Sequence, residues 1–283
     1  MQDLTRRSML SAGGLGAVGV MLAEPIGAAA AAPTVGWRPL FNGVDLAGWS
    51  FYQDGVGTTD RLHAVKAENG ILHFLGSSFD RNAKSGFGRL TTDRMFGDYH
   101  LRLEFKWGTE RFVPRTLAKR NSGILYHMPE ETGVLYPDCI EFQIEESDVG
   151  DAILINVEGL EGANLGGTPV WPNYPPFLPQ TPMDPVVAGG LSRRWFHKTG
   201  DFENREGWNT LDLIAFGDQA AHLVNGRLVT SIFKLRSSPK SAKPGTPVTR
   251  GRIGLEIEAA EVMFRNVMIR DLDGAAIEEL RKG

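Results

Sequence analysis

Two stretches alternate with period two and leave little choice of fold. From Asp98 to Trp107, the residues Tyr99, Leu101, Leu103, Phe105 and Trp107 share one side, and His100, Arg102, Glu104 and Lys106 share the other. From Asp138 to Glu145, Ile140, Phe142 and Ile144 oppose Cys139, Glu141, Gln143 and Glu145. Only an extended strand puts residues i and i+2 on a common face, so each stretch reads as a β-strand with one apolar side. The polar side of the second stretch is the more informative. Glutamate is disfavoured in strands, and three long hydrogen-bonding side chains in one row suit the wall of a polar cleft as well as a solvated face.

The rest of the chain supplies more strands. Ala64 to Phe74 reads as a hairpin about Asn69-Gly70, and Ala221 to Ser231 as a second about Asn225-Gly226, since Asn-Gly favours the tight two-residue turn. Arg89–Thr92, Trp208–Phe216, Arg252–Glu258 and Val262–Arg270 are further strands, and Trp37 to Trp49 reads as turns pinned to a core. Helical periodicity is confined to Ala275–Leu280. Many antiparallel strands with short turns predict an all-β sandwich or jelly roll. No internal repeat points to a propeller or solenoid.

One interruption breaks the pattern. Gly159 to Gly200 holds seven prolines and seven glycines together with Trp171, Tyr174, Phe177, Trp195 and Phe196. Disordered segments are poor in aromatics, so this stretch reads as an ordered lid or cleft rim, its rings stacking on a sugar or pinning the loop to the core. Two other segments are basic: one carries Arg111, Arg115, Lys119 and Arg120, and the other Lys234, Arg236, Lys240, Lys243, Arg250 and Arg252. They read as solvated loops, with a place at the cleft mouth as the alternative.

The first 31 residues read as a targeting segment. Thr5-Arg6-Arg7-Ser8-Met9-Leu10 is a twin-arginine pattern, followed by a soft apolar run from Ala12 to Ala23, too short for a membrane span, and by small residues at 28–32. The expectation is a periplasmic or secreted bacterial protein exported folded. Net charge is −4, and no basic field or motif points to nucleic acid. Cys139 is the lone cysteine, which excludes an internal disulfide. It reads as a small buried filler rather than a nucleophile.

Several motifs then fall in order. They are Leu40-Phe41-Asn42-Gly43…Leu46…Gly48-Trp49, Asn121-Ser122-Gly123-Ile124, Glu141-x-Gln143-Ile144, Trp208-Asn209-Thr210…His222…Asn225-Gly226, and Gly251-x-Ile253-Gly254-Leu255…Phe264-Arg265-Asn266-Val267-x-Ile269. Together they resemble the 3-keto-disaccharide hydrolase family, formerly domain of unknown function 1080, over residues 37–272, leaving 273–283 as a tail. The resemblance implies a concanavalin-like jelly roll of two antiparallel sheets with a saccharide site on the concave one. It also implies cleavage of glycosides already oxidised at C3 by a partner sugar 3-dehydrogenase. The segment Glu145-Glu146-Ser147-Asp148 departs from the Asp-rich, His-bearing segment that family members often carry after this strand.

The implied chemistry names its parts. A C3 ketone acidifies the C2 hydrogen, so the site needs a base, donors for the enolate oxygen and an acid for the C1 leaving group. Glu141 is the first choice for base and Gln143 for orienting the sugar. His127, His222 and Glu145 are the candidates for the acid, and Arg265 or a divalent cation for polarising the ketone, although no compact ligand spacing fixes a metal site. Asn121, Trp208 and Trp171 complete the candidate sugar contacts. Each has a plainer reading: a turn for Asn121, a salt bridge for Arg265, an exposed position for His222 and the core for Trp208. Two other functions share these residues. One is an ordinary retaining glycosidase using Glu141 and Glu145, whose Cα atoms lie ~13 Å apart on a regular strand and whose carboxyls would have to approach to about 5 Å. The other is a non-catalytic carbohydrate-binding protein.

Overall fold

The computed structural model describes residues 36–80, 86–130, 133–162, 186–188 and 191–276. These residues form two antiparallel sheets packed face to face. The first sheet runs, in spatial order, β10 (Val157–Glu161), β15 (Arg227–Ser237), β14 (Gln219–Val224), β13 (Asn209–Phe216), β6 (Tyr99–Arg111), β17 (Ala260–Asp271), β4 (Ile71–Phe74) and β3 (Val65–Glu68). The short β1 (Arg38–Pro39) also pairs with β17. The second sheet runs β11 (Val186–Ala188), β12 (Leu191–Phe196), β9 (Ala152–Ile155), β8 (Cys139–Glu145), β7 (Asn121–Met128), β16 (Arg252–Ile257), β5 (Gly88–Thr92) and β2 (Trp49–Gln53). We call them the first and second sheets. The sandwich is the expected all-β jelly roll.

The turns follow from residue type. At both hairpins the Asn and the Gly take left-handed backbone, with φ of 52° and 78° at Asn69-Gly70 and 49° and 77° at Asn225-Gly226. This is the conformation of the two-residue turn whose twist matches paired strands. Asn225 also accepts from Thr210 N and donates to Phe202 O, so it is a turn residue with local bonds. In the opening segment Phe41 and Trp49 are buried, and Trp49 Nε1 donates to Leu40 O at 3.0 Å.

The core lies between the sheets. Tyr99, Leu101, Leu103 and Phe105 of β6, with Phe74 and Phe264 beside them, meet Ile140, Phe142, Leu90 and Leu255 of the second sheet. Among the described residues, part of the 159–200 stretch is regular sheet rather than loop. β11 and β12 fall inside it, the end of β10 runs into it, and Trp195 and Phe196 are strand residues. The two-residue period was hidden there by the surrounding prolines and glycines. Trp171, Tyr174, Phe177 and the targeting segment lie outside the described residues. A helix begins at Gly274, where the Asp273 carboxylate accepts from Ala276 N at 2.8 Å. Among the described residues no helix is long and apolar enough to cross a membrane.

Candidate active site

The outward face of the second sheet carries the polar row expected from the Glu-x-Gln pattern. Strand register decides what joins it. Gly123 on β7 pairs with Gln143 on β8, and Leu125 pairs with Glu141. On the other side of β7, Leu255 of β16 pairs with Ile124, so Glu256, one step on, comes up beside Gly123. Glu256 in turn pairs with Arg89 on β5, and Arg89 with Tyr52 on β2. One line across five strands therefore reads Tyr52, Arg89, Glu256, Gly123, Gln143.

Gly123 is the hinge of this line. A Cβ placed there would lie 2.5 Å from Glu256 Oε2 and 2.9 Å from Glu141 Oε1. The carboxylates of two different strands occupy the space that a side chain would fill. Those two distances cap the separation of the oxygens at about 5.4 Å. Any larger residue at position 123 would push the acids apart.

The face is buried on both sides of the strand. Glu141 is 6% exposed, Glu256 1%, and Gln143, Glu258 and Arg89 are buried with them. Part of the cover is the 133–138 loop, which turns back over the sheet. Arg89 Nη1 donates to Val134 O at 2.6 Å and also to Leu135 O. The Tyr136 hydroxyl donates to the Glu258 carboxylate, which also accepts from Asn121 Nδ2. Burial lowers the Arg89 guanidinium from its usual value, opposed by Cys139, Tyr52 and Glu256 around it. Burial, with the charges of Glu258 and Glu256, pushes the Tyr136 phenol far up, so it stays a donor. Gln143 Oε1 is buried and, among the described residues, accepts no hydrogen bond. Its backbone is fixed by Asp151 O and Gly150 N.

The other candidates are placed as follows. Glu145 closes β8 opposite Asn121 and forms an ion pair with Arg115. Burial raises it against the pull of Arg115. The basic 111–120 segment and the acidic 145–148 segment neutralise each other: Arg111 and Arg120 hold Glu146 at 3.0 and 2.5 Å, and Lys119 holds Asp148 at 2.5 Å. Although burial opposes it, bonds from Arg120 and Arg111 keep Glu146 at about 2. Cys139 packs with Leu125, Met128, Ile153 and Ile155. Burial and the acids Glu256 and Glu141 push its thiol well up, which fits a filler and not a nucleophile.

The expected convergence of distant histidine and arginine groups on Glu141 does not occur. His222 points into the sandwich, stacked on Phe142 at 4.1 Å between ring centroids. Its Nδ1–H donates to Gly150 O at 3.1 Å and its Nε2 lies 3.0 Å from the Tyr126 hydroxyl, which donates to it. Burial holds it down at about 4, so at neutral pH it is an uncharged core residue. His127 also turns inward. It sits with φ of 55° in a bulge where β7 gains a residue on β16, so it and Tyr126 both face the interior. Arg265 lies on the outward face of the first sheet, paired with Glu104 at 2.7 Å and stacked over Trp208 at 4.0 Å. Arg265 is on β17 and Trp208 immediately precedes β13, both strands of the sheet opposite Glu141, so strand pairing keeps them from it. Among the described residues no three His, Cys, Asp or Glu side chains are grouped to hold a metal ion.

Sequence reasoning missed Glu256, Glu258, Arg89 and Tyr136. A signal existed for the first two: Leu255-Glu256-Ile257-Glu258 alternates as Ile140 to Glu145 does. Nothing in the sequence marked Arg89 or Tyr136.

A jelly roll whose outward face carries a buried row of carboxylates, amide and guanidinium has the architecture of a carbohydrate-active protein. Comparison with known proteins makes the assignment specific. Residues 36–270 match the 3-keto-alpha-glucoside-1,2-lyase-like domain, and the chain belongs to that family. Among solved structures, a provisionally assigned glycosyl hydrolase from Parabacteroides distasonis ATCC 8503 superposes with a TM-score of 0.50. It is 18% identical, over 84% of this chain and 94% of that one. A second from the same organism gives 0.48 at 17% identity, over 83% and 99%. A Bacillus licheniformis beta-glucanase gives 0.44 at 12%, over 84% and 97%. These likenesses concern the fold. No curated protein matches the sequence.

Proposed function

We propose that the chain cleaves 3-keto-glycosides at the Gly123 window, with Glu141 and Glu256 as the reacting pair. The observation that carries this reading is their approach over Gly123, within the matched family domain. Two carboxylates this close are most stable with one proton between them, which leaves one as base and the other as acid. The base takes the C2 proton. The electrons form the C1–C2 double bond as the C1 oxygen departs, and the acid protonates that oxygen. The enone left behind then adds water. Gln143 and Arg89 belong to the same row and would orient the sugar and offset negative charge. This reading replaces the histidine acid with a second glutamate.

The test is a substrate comparison. The chain should turn over a C3-oxidised disaccharide and leave the unoxidised sugar intact, and Glu141→Gln and Glu256→Gln should each abolish that turnover. Cleavage of the unoxidised sugar would favour a retaining glycosidase. The cap of about 5.4 Å on the separation of the Glu141 and Glu256 oxygens leaves room for the ~5 Å geometry of that second reading; Glu145, the other candidate partner, is bound to Arg115. Binding without turnover of either sugar would leave a carbohydrate-binding protein. We also propose twin-arginine export to the periplasm and a sugar 3-dehydrogenase as the source of the ketone.

A further inference from the structure

Glu141 and Glu256 are buried, so a sugar reaches them only if their cover moves. Part of that cover is the 133–138 loop, which also borders a cavity of about 1200 Å³ lined by none of the acids of the row. We propose, resting on the 3-keto reading above, that Arg89 binds the C3 ketone oxygen of the substrate and that the 133–138 loop is a lid whose carbonyls hold the place of that oxygen until the sugar arrives.

Arg89 already holds carbonyl oxygens. Its Nη1 donates to Val134 O at 2.6 Å and to Leu135 O. A guanidinium has donors and no acceptor, so it suits an oxygen that only accepts, which a ketone is and a hydroxyl is not. Arg89 pairs in register with Glu256, one strand from the Gly123 window. A ketone oxygen held there lies beside the carboxylates, and the cation offsets the charge that builds on it as C2 loses its proton. The side chain is fully buried, which strengthens that interaction.

The loop is built to lift. Gly133 and Val134 are exposed and Leu135 and Tyr136 half-buried, so they bury little that would tie them down. Polar bonds hold them over the row: those from Arg89, and the Tyr136 hydroxyl on the Glu258 carboxylate. A substrate ketone on Arg89 replaces the loop carbonyls in kind. The far end of the loop stays anchored, since Pro137 is buried and Asp138 accepts from Asn156 Nδ2 at 2.8 Å. The cavity between the loop and residues 237–250 gives the displaced segment room. Cys139 reports the motion. It is the lone cysteine, buried in the cluster on the carboxylate face against which Tyr136 packs.

The experiment measures how fast methyl methanethiosulfonate labels Cys139 in the full chain. Tyr136→Phe removes one latch and should speed labelling about 10-fold, the worth of a hydrogen bond to a charged group. It should lower KM for a C3-oxidised disaccharide by a similar factor, because the closed form does not bind it. In a Glu141→Gln background the oxidised disaccharide should bind about 10-fold more tightly than the unoxidised one, and Arg89→Lys should erase that preference. Should Arg89→Lys fail to fold, the preference itself and Tyr136→Phe decide. Unchanged labelling in Tyr136→Phe overturns the lid, as does labelling in the parent that climbs from the first addition of denaturant, the mark of global unfolding. Equal binding of the two sugars overturns the role of Arg89. Faster labelling in a chain that cleaves neither sugar counts against the reaction proposed above and not against the lid.

Discussion

Arg102 on β6 and Glu141 on β8 both sit on the side of their strand turned away from the core, yet Arg102 is exposed and Glu141 buried. The two rows differ in what lies over them, although His100 and Asp212 of the first sheet are buried as well. On the first, the outward row is a set of ion pairs and ring contacts: Arg265 with Glu104 and Trp208, Arg102 with Asp212 and Trp37. On the second, the outward row is covered, and its acids converge where Gly123 leaves room. Period-two alternation sorts residues into two faces but says nothing about whether the polar face meets water. The cover does that, and here it includes a loop held by Arg89 and Tyr136.

If the covered face is the reactive one, Glu141→Gln should lower turnover of a C3-oxidised glycoside by about 10²- to 10⁴-fold. Arg265→Ala, on the open face, should leave turnover within about 2-fold of the parent, as surface changes away from a site do. Equal losses in steady-state assays would erase the distinction between the faces.

The interior gives the next largest effect. His127 and His222 are held near 3 and 4 in the fold against an ordinary value of 6.5. Their folded values are depressed, so the unfolded chain takes up these protons first. Stability is therefore intact above about pH 6.5 and declines on acidification toward pH 4. At about 1.4 kcal/mol per unit of depression, the loss is a few kcal/mol for each histidine. Denaturant titrations at pH 7, 5.5 and 4.5 should show it, and His222→Gln should flatten the slope. An unchanged slope would place His222 in contact with water.

Gly123→Ala should be milder for stability, costing about 1–3 kcal/mol by overpacking. Because it displaces both carboxylates, it should also lower turnover by about 10²-fold. A variant that unfolds at the parent denaturant midpoint with full activity would show that the acids need no glycine between them.

The smallest effect belongs to the open face. Removing the Arg265–Glu104 pair by Arg265→Ala should cost under about 1 kcal/mol, as partly exposed ion pairs do. A larger loss in the denaturation midpoint would mean that the stack on Trp208 anchors the sheet.

Much of the fold was legible because it rests on short-range chemistry. The strands at Tyr99–Trp107 and Cys139–Glu145, and the turns at Asn69-Gly70 and Asn225-Gly226, follow from period two and from which residues tolerate positive φ. The polar row of Glu141 and Gln143 was legible for the same reason. The strands inside residues 159–200 were not, because proline and glycine counts masked their short length.

What the site contains was decided elsewhere. Glu141 and Glu256 are 115 positions apart in sequence, and no local pattern says that β8 and β16 flank β7 in a register that brings both to Gly123. The bulge at His127 reversed the face that simple alternation assigns to it, and strand pairing order placed Arg265, with Trp208 just before β13, at the opposite sheet. Local sequence sets which side of a strand a residue takes. Pairing order, register and the loop folded over the sheet set which residues meet, and those depend on long-range contacts that only the assembled sandwich makes.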